Sequence, residues 1–397
     1  MRYTTILVQA FAAFSHIVSA QTLVGAAEGF AKGVTGGGKA TPVYPANIDQ
    51  LKTYLTDKNP RVIVLNKVFD FTTSEGTESG TACASWGTGA SCQKIIQSSC
   101  GSVPTVKGTW YKAARTPIDV ASDKTILGVG TSGVIKGKGL RFRGGAKNII
   151  VQNIAVTDLN PEYVWGGDAI SFDGSDLIWI DHVTVWSPFS HSYCSSNVRP
   201  LLTDPMKTAR PGRQHYVFGY NPSTRITLSN NHIDGKSPFS TGCGDGYHYW
   251  TFEMVGKGDQ ITMKGNYITR TAGRSPALSG STLLHAVNNV WHDNNGHAIE
   301  GGETTARGIF EGNVFTNVKA LSSDYKGRMF AASSANNNCN AAFKRVCQAN
   351  TFYKSQGALP PQDTSFFSDF AGLNIASAQS AASARANVPN NAGIGKL

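Results

Sequence analysis

Three residues in this sequence have types that could do proton chemistry together: Asp168, Arg213 and Arg274. Asp168 is a lone carboxylate in Tyr163-Val164-Trp165-Gly166-Gly167-Asp168-Ala169-Ile170, between a paired-glycine bend and an apolar alternating run. Arg213 stands in Gly212-Arg213-Gln214-His215-Tyr216 and Arg274 in Gly273-Arg274-Ser275-Pro276, on segments able to return to the same face. One acid facing two cations suits removal of a proton by one group and stabilisation of the resulting anion by another. Each also has a plainer reading: an exposed loop arginine for Arg274, an ion-pair partner for Arg213, a turn-capping carboxylate for Asp168.

The elements that must position them repeat loosely along the chain. Lys124–Gly128, Asn148–Ile154, Leu177–Val183, Arg225–Asn231, Gln260–Asn266, Leu283–Asn289 and Gly308–Asn313 are each a short apolar strand ending near Asn or His at a bend. Their spacing falls in the roughly 20–50 residue range of stacked architectures. Asn suits such corners because its amide bonds nearby backbone and, stacked coil on coil, its neighbours. The pattern predicts an all-β solenoid, a single-stranded right-handed parallel β-helix. A β-sandwich of hairpins is the competitor, and its Asn-Gly turns are missing. Asn47–Thr56 reads as a short helix capping the open N-terminal coil, and the tail beyond Gln348 as a cap for the other end. Asp181-His182 is read as a structural hydrogen-bonded corner rather than a dyad, since adjacent strand residues point to opposite faces, and His248 and His285 are also read as structural.

Met1 to about Ala20 combines Arg2, the apolar run Ile6–Val18 and the small-residue exit Val18-Ser19-Ala20, which reads as a secretory signal peptide. Residues 21–397 then form one domain, and no later run is long and apolar enough to span a bilayer. Seven cysteines in a secreted chain pose a disulfide problem whose pairing spacing alone leaves open. Ser74–Ser102, rich in Gly, Ser, Thr and Cys, is expected to be a loop folded over the body and stapled to it. The net charge of +10 does not indicate nucleic acid, because the basic residues form no block and no binding motif. It would draw the chain towards acidic polysaccharide.

The stretch around Asp168, continuing through Leu177-Ile178-Trp179-Ile180-Asp181-His182, together with the two arginine segments, resembles the fungal pectin lyases. The resemblance runs from Gly25-Ala26-Ala27-Glu28-Gly29-Phe30 to about Cys347. It implies the β-helix fold, the pairings Cys83 with Cys100, Cys92 with Cys243 and Cys339 with Cys347, and a secreted, monomeric endo-pectin lyase. The implied reaction is β-elimination on methyl-esterified homogalacturonan (pectin), with no cofactor and no calcium requirement. It assigns the base to Arg274, anion stabilisation to Arg213, a supporting role to Asp168, and substrate contact to Trp86, Trp165 and Trp250. Such flat aromatic faces suit sugar rings. Neutralising an ordinary guanidinium at pH 7 costs roughly 7–9 kcal/mol, so activity is expected to climb towards alkaline pH.

Two enzymatic rivals share the fold. A calcium-dependent pectate lyase needs converging oxygen ligands. Asp173 and Asp176 lie near Asp168 in sequence, but the later segment offers Arg210 and Arg213 where carboxylates would be required. A polygalacturonase would need an aspartate cluster and a Gly-His-Gly element, and the sequence has neither. A non-catalytic carbohydrate-binding β-helix is separated from these only by the arginine pair. The chain departs from the family's pattern at Ala277, where a lysine is expected, and at Ser99, where an aromatic residue is expected.

A further departure is an extra segment, Val185–Lys207, with Pro188, Pro200 and Pro205, the unpaired Cys194, Trp186 and no strand alternation. It reads as an active-site loop, or as intron sequence carried into the chain: Val codons begin GT, a Lys codon ends AG, and its removal keeps the frame. No Asn-X-Ser/Thr site with a permitted middle residue occurs.

Overall fold

The apolar strands coil into three parallel sheets whose members follow one another in chain order, in a computed structural model that describes residues 22–185, 212–333, 338–360 and 362–397. The first sheet has ten strands, from Pro42–Val43 to Arg328–Ala331, and contains all seven of the repeats read from the sequence. The second has nine, from Val68–Asp70 to Thr351–Tyr353, and the third has six, from Ile118–Asp119 to Ala277–Leu278. The middle coils take one strand from each sheet, as in Ile170–Asp173, Asp176–Asp181 and Thr184–Val185. This is a parallel β-helix.

Like residues stack on like along its interior. Phe142, Phe172 and Phe218 occupy one register row with ring centroids 5.3 and 4.4 Å apart, and Trp291, Phe315 and Phe352 form another at 4.6 and 5.3 Å. Such contacts add about 0.5–1.5 kcal/mol each beyond the area they bury. At the corner after the first sheet, Asn231, Asn266, Asn289, Asn313 and Asn350 form a ladder. Each of the first four donates its backbone N–H to the next side-chain carbonyl at 2.9–3.0 Å. A left-handed backbone precedes the corners from Val183 to Asn313, with φ 50° at His182 and Asn230 and 54° at Asn288, which Asn and Gly tolerate best.

Asp181-His182 is such a corner, but the geometric reason for expecting it was wrong. The bend at His182 turns its Nδ1 onto Asp181 Oδ2 at 2.7 Å, so the neighbours do bond. Asp181 also accepts from Ser229 and Asn230 and is 2% exposed.

Asn47 caps the helix Ile48–Thr56 by accepting from Gln50 N at 2.9 Å, and Leu51 and Leu55 close the N-terminal end of the core. The tail is more than an end cap. Its helix Ala381–Asn391 packs Ala381, Ala384 and Val388 against Val290 and Val314 of the second sheet. Gly393 N, Ile394 N and Gly395 N then donate to Asn230 O, Thr184 Oγ1 and Asn153 Oδ1, running back along the outside of the coils. The N-terminal lead-in does the same on the first sheet, where Phe30 N meets Thr262, Ala31 N meets Thr227 and Gly37 N meets Thr125.

Ser74–Ser102 is not a simple loop. Thr77–Cys83 pairs antiparallel with Thr105–Tyr111, and Lys94–Ile95 pairs parallel with Tyr163–Val164, making a small fourth sheet. The disulfides are Cys83–Cys100, Cys92–Cys243 and Cys339–Cys347, and the second ties this sheet to the solenoid across 151 residues of sequence. Val185, taken above as the start of the extra segment, belongs to the solenoid: it is fully buried and pairs with Val156 and Ile233. The rest of that segment, with Trp186, Cys194 and Arg210 beyond it, lies outside the described residues, as does the expected signal peptide.

Candidate active site

The third sheet brings the expected residues together. Ile170 pairs with Tyr216 and Tyr216 with Phe252, so Asp168, Gln214 and Trp250, each two residues earlier, fall on one row at the mouth of the sheet. Glu253 pairs with Ala277, which puts Arg274 on the same row, and Phe252 N donates to Arg274 O at 2.6 Å. Arg274 has φ 46°, a conformation that ordinary residues rarely hold and that clusters at functional sites.

Arg213 grips Asp168 with two hydrogen bonds, Nε to Oδ1 at 3.1 Å and Nη2 to Oδ2 at 2.7 Å, while Gln214 N donates to the same Oδ1 at 2.9 Å. The Arg213 guanidinium lies 3.9 Å over the Trp165 ring. His248 Nε2 donates to the Arg213 carbonyl at 2.6 Å, so this histidine holds the backbone of the site. Burial alone would pull Arg213 down, but the Asp168 and Glu253 carboxylates outweigh it and hold the guanidinium above its ordinary value. It therefore stays charged.

Two carboxylates that the sequence reading missed complete the site. Glu253 Oε2 lies 3.2 Å from Arg213 Nη1, and its Oε1 lies 2.8 Å from Arg274 Nη1, so one side chain joins both cations. Glu300 Oε1 stands 3.4 Å from Arg274 Nε, too poorly aligned for a hydrogen bond, and Glu300 Oε2 accepts from Tyr249 OH at 2.8 Å and contacts His297 Nε2. Burial pushes Glu300 upward, yet bonds from His297 and Tyr249 hold it below the usual carboxylate value. The available signal for Glu253 was a lone charge inside the apolar strand Phe252–Met254.

The three tryptophans line the site. Trp250 lies 4.8 Å beneath Arg274 Cζ, Trp86 meets Trp250 edge-on at 6.0 Å, and Trp165 is 50% exposed. Trp86 is carried by the stapled fourth-sheet region, so the Cys92–Cys243 bond positions it. An open groove of about 600 Å3 starts at Trp165 and continues past Ile96, Lys112, Arg115, Thr116 and Glu78. Ala277 is 6% exposed beside Glu253, while Ser99 is exposed next to Cys100.

Other candidates lie elsewhere. Asp176 pairs with Arg225, Asp173 accepts from Asn221, and His285 pairs with Glu311, both fully buried. Among the described residues, no group of three or more His, Cys, Asp or Glu could hold a metal ion, and no helix is long and apolar enough to cross a membrane.

A family model for pectate lyase matches residues 4–397. The chain belongs to the pectate lyase family. A probable pectin lyase A of Aspergillus flavus is 59% identical over 399 residues, covering 100% of both chains. A probable pectin lyase C of Emericella nidulans is 51% identical, covering 94% of this chain and 95% of that one. Among solved structures, pectate lyase Bsp165PelA of Bacillus sp. N165 has a TM-score of 0.58 at 21% identity, covering 93% of this chain and 99% of that one. Pectate lyase II of Xanthomonas campestris reaches 0.57 at 19%, covering 93% and 98%. At these identities the solved pectate lyases share the β-helix, while the fungal relatives match this chain in sequence over 94–100% of its length.

Proposed function

We propose that this member of the pectate lyase family is a pectin lyase that cleaves methyl-esterified galacturonan by β-elimination, outside the cell and without calcium. The observation that carries the reading is the pair of arginines at one mouth, Arg213 locked on Asp168 and Arg274 joined to it through Glu253. The fungal relatives named as probable pectin lyases support the substrate.

In the reaction, Arg274 in its neutral guanidine form takes the proton from ring carbon five, which the carboxyl group at carbon six acidifies, and becomes the guanidinium that Glu253 and Glu300 flank. The electron pair of that C–H bond becomes the carbon four–carbon five double bond, the bond from carbon four to the glycosidic oxygen breaks, and that oxygen takes a proton from water, while loss of the captured proton to solvent restores Arg274. Negative charge builds on the carboxyl oxygen, where a fixed planar guanidinium gives two donors. Arg213 fills that role because Asp168 has already set its orientation. The calcium alternative fits poorly for a chemical reason: both oxygens of Asp168 are engaged by Arg213, whose charge stands where a cation would bind. The secretory reading of the first 20 residues and action as a monomer complete the proposal.

The test is ultraviolet absorbance of the unsaturated product from highly methylated pectin and from demethylated pectate, each with and without chelator. Cleavage of methylated pectin that survives chelation is expected. Cleavage of pectate only, and only with calcium, would overturn it.

A further inference from the structure

Glu253 sits in the strand Phe252–Met254 with one oxygen on each arginine, 3.2 Å from Arg213 and 2.8 Å from Arg274. Its Oε2 also accepts from Gln214 Nε2 at 2.9 Å. Its neighbours in the register row are Val217 on one side and Ala277 on the other, neither able to carry charge. Among the described residues, its ion-pair partners are the two guanidiniums. Asp168 is already on Arg213, and Glu300, which also contacts His297, is already beside Arg274, so among the described residues two guanidiniums face three carboxylates. The side chains concerned are 13–23% exposed, too enclosed for water to screen these charges fully.

A free carboxylate arriving on the substrate would bring a fourth negative charge to cations that are already neutralised. A methyl ester of the same shape brings none. We infer that Glu253 is a specificity-determining residue, which selects the methyl ester at the reacting unit by consuming the positive charge of Arg213 and Arg274 that a free galacturonate would need. The inference rests on the pectin lyase reading and names the residue that enforces its substrate. Glu253 works by repulsion of the wrong substrate rather than by a contact with the right one.

The experiment compares the full chain with Glu253→Gln and Glu253→Asp, measuring kcat and KM on highly methylated pectin and on polygalacturonate, all with chelator. In E253Q the preference for the methylated substrate, as a ratio of kcat/KM values, is expected to fall at least about tenfold, equivalent to about 1.4 kcal/mol. Most of the change should lie in KM for polygalacturonate and shrink in high salt. E253D keeps the charge and is expected to keep the preference, whatever it does to the rate. An unchanged ratio in E253Q, or equal losses on both substrates, would overturn the inference and leave Glu253 a positioning residue. Those outcomes leave the functional reading intact, whereas an unaltered chain that cleaves only polygalacturonate with calcium removes both. Calorimetric binding of trigalacturonate and of its methyl ester needs neither turnover nor a folded variant. Tighter binding of the free acid than of the ester by the unaltered chain overturns the inference.

Discussion

Arg213 and Asp168 meet through two parallel hydrogen bonds, so the direction of the guanidinium is set by the protein before substrate arrives. Asp168→Asn would place an amide donor against one guanidinium donor and remove the charge that holds it. A kcat loss of about tenfold to a hundredfold is expected, with a smaller change in KM, below the ~10²–10³ typical of losing the stabilising donor itself. Steady-state kinetics on methylated pectin decide it. A change confined to KM would mean that Asp168 only shapes the cleft.

Arg274 is expected to be the more sensitive position. Arg274→Lys should lower kcat by about 10²–10⁴, the usual worth of a general base, because an ammonium on a flexible stem cannot keep the position between Glu253 and Glu300. In the unaltered chain the rate should rise towards alkaline pH. A flat or acid-favoured profile would count against Arg274 as the base.

Trp165 supports Arg213 from one side and offers half its surface to the groove. Trp165→Ala is expected to weaken substrate binding by about 1–2 kcal/mol, roughly a fivefold to thirtyfold rise in KM. If kcat alone falls, the ring serves Arg213 and not the sugar.

Glu311 gives a stability prediction far from the chemistry. It is fully buried against His285 and Arg345. Burial raises its carboxyl, but hydrogen bonds from Arg345 and His285 outweigh this and hold it at about 2, against an ordinary 4.5. The depressed value means that the folded state gains stability above pH 4.5 and loses it as pH falls towards 2. The span is worth about 3 kcal/mol. Glu311→Gln should cost about that much in urea denaturation at pH 7 and little near pH 2. Equal losses at both would refute the linkage.

The path lengths between sheets bear on the extra segment. Deleting Val185–Lys207 leaves nine residue steps from Thr184 to Tyr216, the same number as from Tyr267 to Pro276 between the same two sheets. The shortened chain is therefore expected to fold and to keep Arg213 on Asp168. Because Val185 is buried, deleting Trp186–Thr208 instead should give a chain more stable by about 1 kcal/mol, since the first deletion puts a threonine hydroxyl in that place. Thermal melts and product absorbance on the two deletions and the full chain check this. Two unfolded deletions beside an active full chain would make the segment part of the working protein.

The first sheet was legible because eight of its ten strands are five or six residues long and end at or beside Asn, His or Gly. The third sheet was not, since Ile118–Asp119 and Ala277–Leu278 are two residues each and too short to show alternation. Asp168, Arg213 and Arg274 could be named because motifs carry them. Glu253 and Glu300 acquire their meaning only from register: Glu253 lies 40 residues from Arg213, and strand pairing sets the two side by side. The tail's second role, along the side of the coils, was hidden for a related reason. Its helix has small residues on the packed face, and nothing in Ala381, Ala384 and Val388 says which surface they cover.

A stack of coils joined only to their nearest neighbours would melt from its ends, one rung at a time. The lead-in and the tail alter that behaviour here. The lead-in touches strands from Thr125 to Thr262, and the tail reaches from Val314 back to Asn153, so each terminus binds rungs that do not touch one another. An end coil cannot fray without releasing a strap that also clasps the middle. The protein is thereby turned from a zipper into a bound sheaf, whose described coils open as one unit.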